Sequence, residues 1–339
     1  MPRPRGLHLR PGPDHTSEID ALADLLGGRV GDGVLQDLDR QGRRSWAPGR
    51  AVDRAWTFDC ADRRDLRWWP QGIDTRVDTS GSTVAITWYA KKLPGDRQSQ
   101  GSRITLFDLE SRRYRHVLLV RPTLIDGVPG LVPLRVHAGG LVWHGRRLHV
   151  AATGKGWWTC LLDDVISIPD GHAVREHSFG YRYVLPVRTS YQAAADEGVE
   201  KLRYSFFSRD ASDLIIGEYG RGSSSRRLVR IALDAETSLP VADPEGIALP
   251  EVIGDGVGHM QGAVRVDGRW YATTSHGRSR LGSVWTGEPG ALTRHRWATP
   301  MGPEDLSHDP VTDTLWSVTE HPWARWIYTM KRSWFDLRP

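Results

Sequence analysis

An all-β fold assembled radially from repeated four-stranded units, a five-bladed β-propeller with six blades as the alternative, is what this 339-residue sequence predicts. Three observations carry the prediction. First, a phrase repeats: HAGGLVWHGRRLHVAAT at 137–153 aligns without a gap on HMQGAVRVDGRWYATTS at 259–275, and looser copies begin at Trp69 (WPQGID) and Gly302 (GPEDLSH). Self-similarity of this kind marks an architecture in which each unit buries its face against the next. Second, each copy leads into short strands separated by turn dipeptides such as Asp-Gly and Ser-Gly, the pattern of a propeller blade. Third, AVDRAWTFDC at 51–60 reads as a strand without a neighbour, while the last unit holds only three clear strands. Pairing the two would close the ring and hide an edge prone to aggregation.

The elements follow in chain order. Residues 1–15 are rich in proline and arginine and are expected to be disordered. Thr16 or Ser17 is the expected cap of a helix through EIDALADLLGGRV, with Ile19, Leu22, Leu25 and Leu26 on one face. Residues 1–50 are therefore expected to be a tail and helix packed on the outside, and 51–339 a single propeller domain. Unit one reads GIDTRV, TVAITWYA, RITLFDL, YRHVLLV; unit two GGLVWH, RRLHVAAT, WWTCLL, YRYVLPV. Unit three reads RYSFFS, DLIIGEY, RLVRIAL and a short strand before 250; unit four GAVRV, RWYATTS, GSVWTG, LTRHRWA; unit five DLSHD, DTLWSVTE, RWIYTM. Equivalent inner-strand positions are Gln71, Gly139, Tyr204 (in register to within a residue or two), Gln261 and Glu304.

Composition narrows the class. Lys and Arg number 45 against 41 Asp and Glu, a net charge of only +4, and the basic residues are scattered among carboxylates. Nucleic-acid binders usually cluster their basic residues on one face, so none is expected as a partner. No apolar run approaches the ~18 residues of a membrane span. The two cysteines, Cys60 and Cys160, fall in different units and show no zinc spacing. The N-terminus lacks the apolar core of a secretory signal, so a cytoplasmic location is expected, with a secreted chain whose leader has been removed as the alternative.

In a blade the innermost strand starts at one face of the disc and the second strand returns to it. Strand starts and returns therefore converge at one channel mouth. The starts supply Trp69, Gln71, His137, Tyr204, His259, Gln261 and Glu304. The returns supply Trp88, Tyr89, Thr153, Glu218, Tyr219, Ser275, His276, Glu320 and His321. Such a concentration of His, Glu, Gln and aromatic residues is a candidate ligand site. His137, His259 and Glu304 are the candidate acid/base groups, histidine because it titrates near neutrality and a lone carboxylate in a narrow cavity because burial raises its pKa. The two repeated histidines serve equally well as latches between blades. Trp69, Gln71, Trp88, Tyr89, Tyr204, Glu218, Gln261, His276, Glu320 and His321 are the candidate substrate contacts. A divalent metal is an optional addition, with His137, His259 and His276 as candidate ligands. Asp305, in place of a glycine, is expected to bond a strand backbone, and GRGSSSRR at 220–227 is read as a blade loop because no strand–loop–helix surrounds it.

The motifs PQGI, HAGGLVW, QGAV and PEDL resemble the inner-strand signatures of gluconolactonase, SMP-30 and strictosidine-synthase-like propellers, over about residues 65–335. That resemblance implies a small-molecule pocket in the axial cavity, with a metal or acid/base centre. Those families have six blades and, in the lactonases, a Glu, Asn and Asp calcium set; this chain shows five units and contains no asparagine.

The expected function is a small-molecule enzyme using acid/base chemistry, with or without a metal, for hydrolysis, elimination, isomerisation or cyclisation. A glycosidase would need carboxylates across a groove, for which Asp74, Glu218, Glu304 and Glu320 are available. The alternatives are a non-catalytic ligand- or carbohydrate-binding propeller and a protein-interaction scaffold. A lectin would show near-identical sites in every blade, and these rims have diverged. The sequence leaves substrate and oligomeric state open.

Overall fold

A computed structural model describes residues 6–76 and 83–336. Within the segment expected to be disordered, β1 (Leu7–Pro11) is a strand; residues 1–5 of that segment lie outside the described residues. Leu7 and Leu9 are buried, and His8 Nε2 donates to Asp196 Oδ1 at 2.8 Å, so the tail has an apolar and a polar anchor. α1 (Thr16–Leu26) follows, with Asp14 Oδ1 accepting from the Thr16 N–H at 2.8 Å. It buries Ile19, Leu22, Ala23 and Leu26, while Leu25, expected on that face, is exposed. The helix stops at Gly27, whose φ of 91° provides the left-handed cap. Two short strands, β2 (Arg40–Gln41) and β3 (Arg43–Ser45), precede β4 (Val52–Thr57), and α2 (Cys60–Arg64) begins from an Asp59 side-chain cap.

Five antiparallel meanders then succeed one another. The first is β5 (Trp68–Thr75), β6 (Thr83–Ala90), β7 (Ser102–Asp108) and β8 (Arg113–Ile125), whose far end folds back as β9 (Val128–Pro133). The second is β10 (Leu141–His144), β11 (Arg147–Ala151) and β12 (Gly156–Leu161), then the two-residue β13 (Ile166–Ser167), the short α3 (Val174–His177) and the outer strand β14 (Tyr183–Ala195). The third is β15 (Phe206–Asp210), β16 (Asp213–Gly217), β17 (Arg227–Ala232) and β18 (Glu251–Asp255), the last starting after residue 250, where the sequence placed its end. The fourth is β19 (Met260–Val266), β20 (Arg269–Thr274), β21 (Gly282–Gly287) and β22 (Thr293–Thr299). The fifth is β23 (Ser307–Asp309), β24 (Thr314–Val318) and β25 (Ile327–Lys331).

The fifth meander is completed from the other end of the chain. β25 pairs with β4, Tyr328 opposite Ala55, and β4 pairs in turn with β3. The strand that the sequence left without a neighbour is thus the fourth strand of the last blade, with β3 beyond it. One connection was not foreseen: Val184–Pro186 of β14 pair in parallel with Leu118–Val120 of β8, joining the first two blades into one sheet. β1 lies on the overhang of β14, and β2 on β8.

Inner strands meet through the repeated glycine. A Cβ on Gly72 would lie 2.6 Å from the Gly140 carbonyl carbon, one on Gly140 2.2 Å from the Phe207 nitrogen, and one on Gly262 2.3 Å from the Leu306 nitrogen. The third blade inverts the arrangement. Phe206 occupies the glycine position, and its ring fills the space opposite at Gly217, where a Cβ would lie 1.8 Å from it. In the fifth blade the position is Asp305. Its carboxylate accepts from the Ile73 N–H at 3.1 Å and the Leu141 N–H at 3.0 Å, tying the fifth inner strand to the first and second.

Candidate functional site

The sequence pattern brings the strand starts and returns to one face, and the hydrogen-bond registers fix their order. Opposite Gly72 stands Thr87, opposite Gly140 Ala151, opposite Phe206 Gly217, opposite Gly262 Thr273. The residue of the third blade equivalent to Gln71 and Gln261 is therefore Ser205, one place beyond Tyr204. Tyr204 is fully buried against Trp157 and exchanges backbone hydrogen bonds with Thr153, so it is core and not a substrate contact. Trp88 is also fully buried, under the guanidinium groups of Arg103 and Arg325. Glu218 is buried in a bidentate pair with Arg227, at 2.8 and 2.9 Å, and accepts from the Arg203 N–H. It anchors the 220–227 loop and does not face the mouth. Asp74 is held at the opposite end by the Trp143 N–H and Arg209. The carboxylate set of a glycosidase is therefore divided between sites that do not meet.

His137 and His259 repeat for a shared structural reason. His137 lies against Tyr89, ring centroids 4.5 Å apart, and His259 against Tyr219, 5.8 Å apart, with 3.3 Å between the Tyr219 hydroxyl and Nδ1. Tyr89 lies at the end of the second strand of the preceding blade and Tyr219 two residues beyond the end of the corresponding strand, so each histidine covers the seam it follows. Trp69, at the same position of the first blade, meets His321 of the fifth edge-on at 5.8 Å. Both histidines are exposed. Desolvation by the surrounding mouth, with Lys91 nearby, holds His137 below the usual imidazole range.

The polar centre of the mouth is built on the fifth blade. Glu304 is buried, 4% exposed, and accepts from the Gln261 amide at 3.0 Å. Burial, then the neighbouring Glu320 and Asp305, push its carboxyl well above the ordinary range, with Lys91 pulling the other way. Glu320 is also raised by burial, but Lys91, Arg278 and Arg325 and a hydrogen bond from Gln71 oppose the shift. Two carboxyl groups thus share one site in unlike surroundings. The Tyr89 hydroxyl is raised by burial and by both glutamates. The Lys91 ammonium lies 3.0 Å above the Trp69 ring centroid, and desolvation lowers its pKa. Arg325, fully buried, donates to the Glu320 carbonyl at 3.2 Å and to the Asp65 carbonyl at 2.8 Å, so it fixes the turn that presents Glu320 and His321. Burial, then Arg278 and Lys91, pull His321 down to about 4, and its imidazole is neutral at pH 7.

A cavity of about 500 Å³ opens beside this centre, walled by Tyr219, His259, Gln261, His276, Glu320 and His321 of the third, fourth and fifth blades. Lys91, Arg221, Arg278 and Arg280 were missed in the sequence. Only Lys91 left a signal, two residues beyond Tyr89 at the return of its strand.

The metal candidates were His137, His259 and His276. His276 Nε2 faces Ser283 Oγ at 3.0 Å and the Arg294 guanidinium at 2.6 Å, a cationic donor where a metal would need a lone pair. Among the described residues no three His, Cys, Asp or Glu side chains stand together as a metal-holding group. The donor set does not fit a metal. Cys60 and Cys160 are free, and no helix among the described residues is long and apolar enough to cross a membrane.

No family model and no curated protein matches the chain. Similar solved structures include a Xanthomonas campestris gluconolactonase, 14% identical over 87% of this chain and 86% of that one, TM-score 0.37. A Myxococcus xanthus glutaminyl cyclase is 13% identical over 86% and 97%, TM-score 0.39, and RS223 β-xylosidase 11% identical over 78% and 92%, TM-score 0.39. Similarity at this level transfers no chemistry, and the propeller assignment stands on the strand pairing described above.

Proposed function

We propose that the protein is an enzyme that moves protons on a small organic molecule in the mouth cavity, with Glu304 as general acid and Glu320 as general base. The observation that carries this reading is the pairing of a buried carboxyl group, Glu304, held by the Gln261 amide, with a half-buried one, Glu320, on the cavity wall. Neighbouring carboxyl groups in unlike surroundings can divide the acid and base roles between them. Glu304, with a single amide partner and no cation in contact, keeps its proton. Glu320, facing Lys91, Arg278 and Arg325, loses its proton first. A substrate bound between them would give a proton to Glu320 and receive one from Glu304 where negative charge develops. Elimination, isomerisation, cyclisation and hydrolysis all use such a pair. Lys91, held over Trp69, supplies a fixed positive charge next to the developing anion. The neutral His321 is a second proton acceptor on the same wall.

The test is a ¹³C-carboxyl NMR titration of the glutamates, read with turnover in a screen of small organic acids, lactones and esters. One glutamate should titrate well above the normal ~4.3. Its signal should vanish in Glu304→Gln and move down in Glu320→Gln, which removes the neighbouring negative charge. Both variants should stay folded and lose turnover. If every glutamate titrates normally, the pair does not exist and the acid–base reading falls.

A further inference from the structure

The basic loop at 220–227 has so far only an architectural role. It is pinned at one end by the Glu218–Arg227 pair, and in its middle by Arg203, which donates to Ser225 O at 2.8 Å. The Gly220 carbonyl accepts from the His259 N–H at 3.0 Å, which fixes the loop against the fourth blade. Held this way, the loop delivers Arg221 to the wall of the mouth cavity, and the turn after His276 delivers Arg280 to the same wall. Arg221 donates from Nε to the Tyr219 hydroxyl at 2.9 Å, and its remaining guanidinium donors stay available.

The side chains around this cavity carry more positive than negative charge: Arg221 and Arg280 line it beside a single carboxyl group, Glu320. Elsewhere in the molecule many cationic side chains reach a carboxylate: Arg227 reaches Glu218, Arg209 reaches Asp74 and Arg188 reaches Asp164. Among the described residues, Arg221, Arg278, Arg280 and Arg294 make no ion pair. Among the described residues, Glu320 is the carboxyl group on the cavity wall, and Glu304 adjoins it through the Gln261 amide. A further polar group points the same way. His321 is 7% exposed, lines the cavity, and its Nε2 has no hydrogen-bond partner. Its ring is clamped by Gly302, where a Cβ would lie 2.7 Å from Cδ2. A buried, rigid imidazole with an unmet nitrogen on a cavity wall is a site that a ligand completes.

We propose that the molecule bound in this mouth carries an oxyanion group, a carboxylate or a phosphate, that seats between Arg221 and Arg280, with its reacting end turned toward His321 and Glu320. This inference rests on the acid–base reading for the identity of the reacting end; the anion seat stands on the arginines alone. Guanidinium groups favour such ligands because their paired donors match two oxygens at once.

The experiment is calorimetric titration of the full chain at low salt with citrate and, separately, with inorganic phosphate. At least one should bind. Arg221→Ala and Arg280→Ala, both at exposed positions, should each weaken binding about tenfold, the loss of one charged hydrogen bond, without lowering the melting temperature. Binding should fall as salt rises. Citrate alone assigns a carboxylate substrate and phosphate alone a phosphorylated one. Glu304→Gln and Glu320→Gln should bind the same probe at least as tightly, since each removes a negative or potentially negative group. Binding of neither probe, or binding that both arginine variants leave unchanged, overturns the proposal. Anion binding with normally titrating glutamates would retain the seat and remove the acid–base reading, so the two failures are distinct.

Discussion

Asp305 is the position at which the repeated inner-strand glycine becomes a carboxylate, and replacing it separates two roles. In Asp305→Leu the N–H groups of Ile73 and Leu141 lose the Asp305 carboxyl acceptor in a fully buried place. An orphaned buried donor costs ~1–3 kcal/mol, so the pair costs ~2–6 kcal/mol. Asp305→Asn keeps an oxygen for both N–H groups and should cost far less. The comparison also has a pH signature. Burial raises the Asp305 carboxyl well above its ordinary value, although the N–H groups of Leu141, Ile73 and Leu306 pull it down. Between the unfolded value of ~3.9 and the raised folded value, the folded chain holds the extra proton. This contribution is therefore complete below the unfolded pKa and is lost as pH rises through the folded one. Asparagine does not titrate, so the stability of the wild type minus that of Asp305→Asn should shrink as pH rises from 4 to neutrality. Urea unfolding at several pH values, followed by tryptophan fluorescence, measures both effects. An asparagine variant as unstable as the leucine variant would show that charge, not acceptance of two N–H bonds, holds the strands. A difference that does not change with pH would show that Asp305 is ionised throughout.

Three further outcomes follow from the packing. Gly140→Ala, whose Cβ would meet the Phe207 nitrogen at 2.2 Å, should destabilise by about 1–3 kcal/mol or more, while Gly154→Ala, with nothing within 4 Å, should be near neutral in the same thermal melts. Ala55→Pro removes a donor from β4, which is flanked by both β25 and β3, and should expose an edge; light scattering on heating should rise well before that of the wild type. His116, bonded to Asp62 at 2.9 Å and to Thr105 at 2.7 Å, is lowered to about 4 by burial and by Arg103. The unfolded chain takes up its proton first, so stability falls as pH drops from 6.5 through 4, by up to about 3 kcal/mol from this group. His116→Gln should flatten that part of the pH–stability curve, and an unchanged curve would show that His116 is not the titrating group.

Much of the fold was legible because strand alternation and the glycine phrase are local signals. GIDTRV to YRHVLLV and their counterparts became strands with ends shifted by a few residues. The register failed at Tyr204 for an identifiable reason: in the third blade the glycine moved from the inner strand to Gly217 on the second, so the phrase lost its marker. β1 was illegible because it has no blade of its own; its leucines are buried only because β14 extends beyond its blade to Ala195. At the mouth, Glu304, Gln261, Glu320 and His321 were found because blade geometry puts strand starts and returns together. Arg221 and Arg280 were not found, since nothing in a loop sequence tells which way it leans. Trp88 and Glu218 alternate as mouth residues should, yet Trp88 turns under two guanidinium groups and Glu218 closes on Arg227.

The closure of the fifth blade also sets a timetable for synthesis. β4 is translated before the meanders, while its partner β25 is translated after them, 270 residues beyond Thr57. At roughly 5–20 residues per second, that leaves β4 waiting on the order of 15–50 s. During this interval the first two blades can assemble, since β8 and β14 are both complete by Ala195. Glu304, Glu320 and His321 arrive in the same final stretch as β25. The nascent chain therefore acquires its closed ring and its acidic centre together, and a chain cut before Glu304 would lack both.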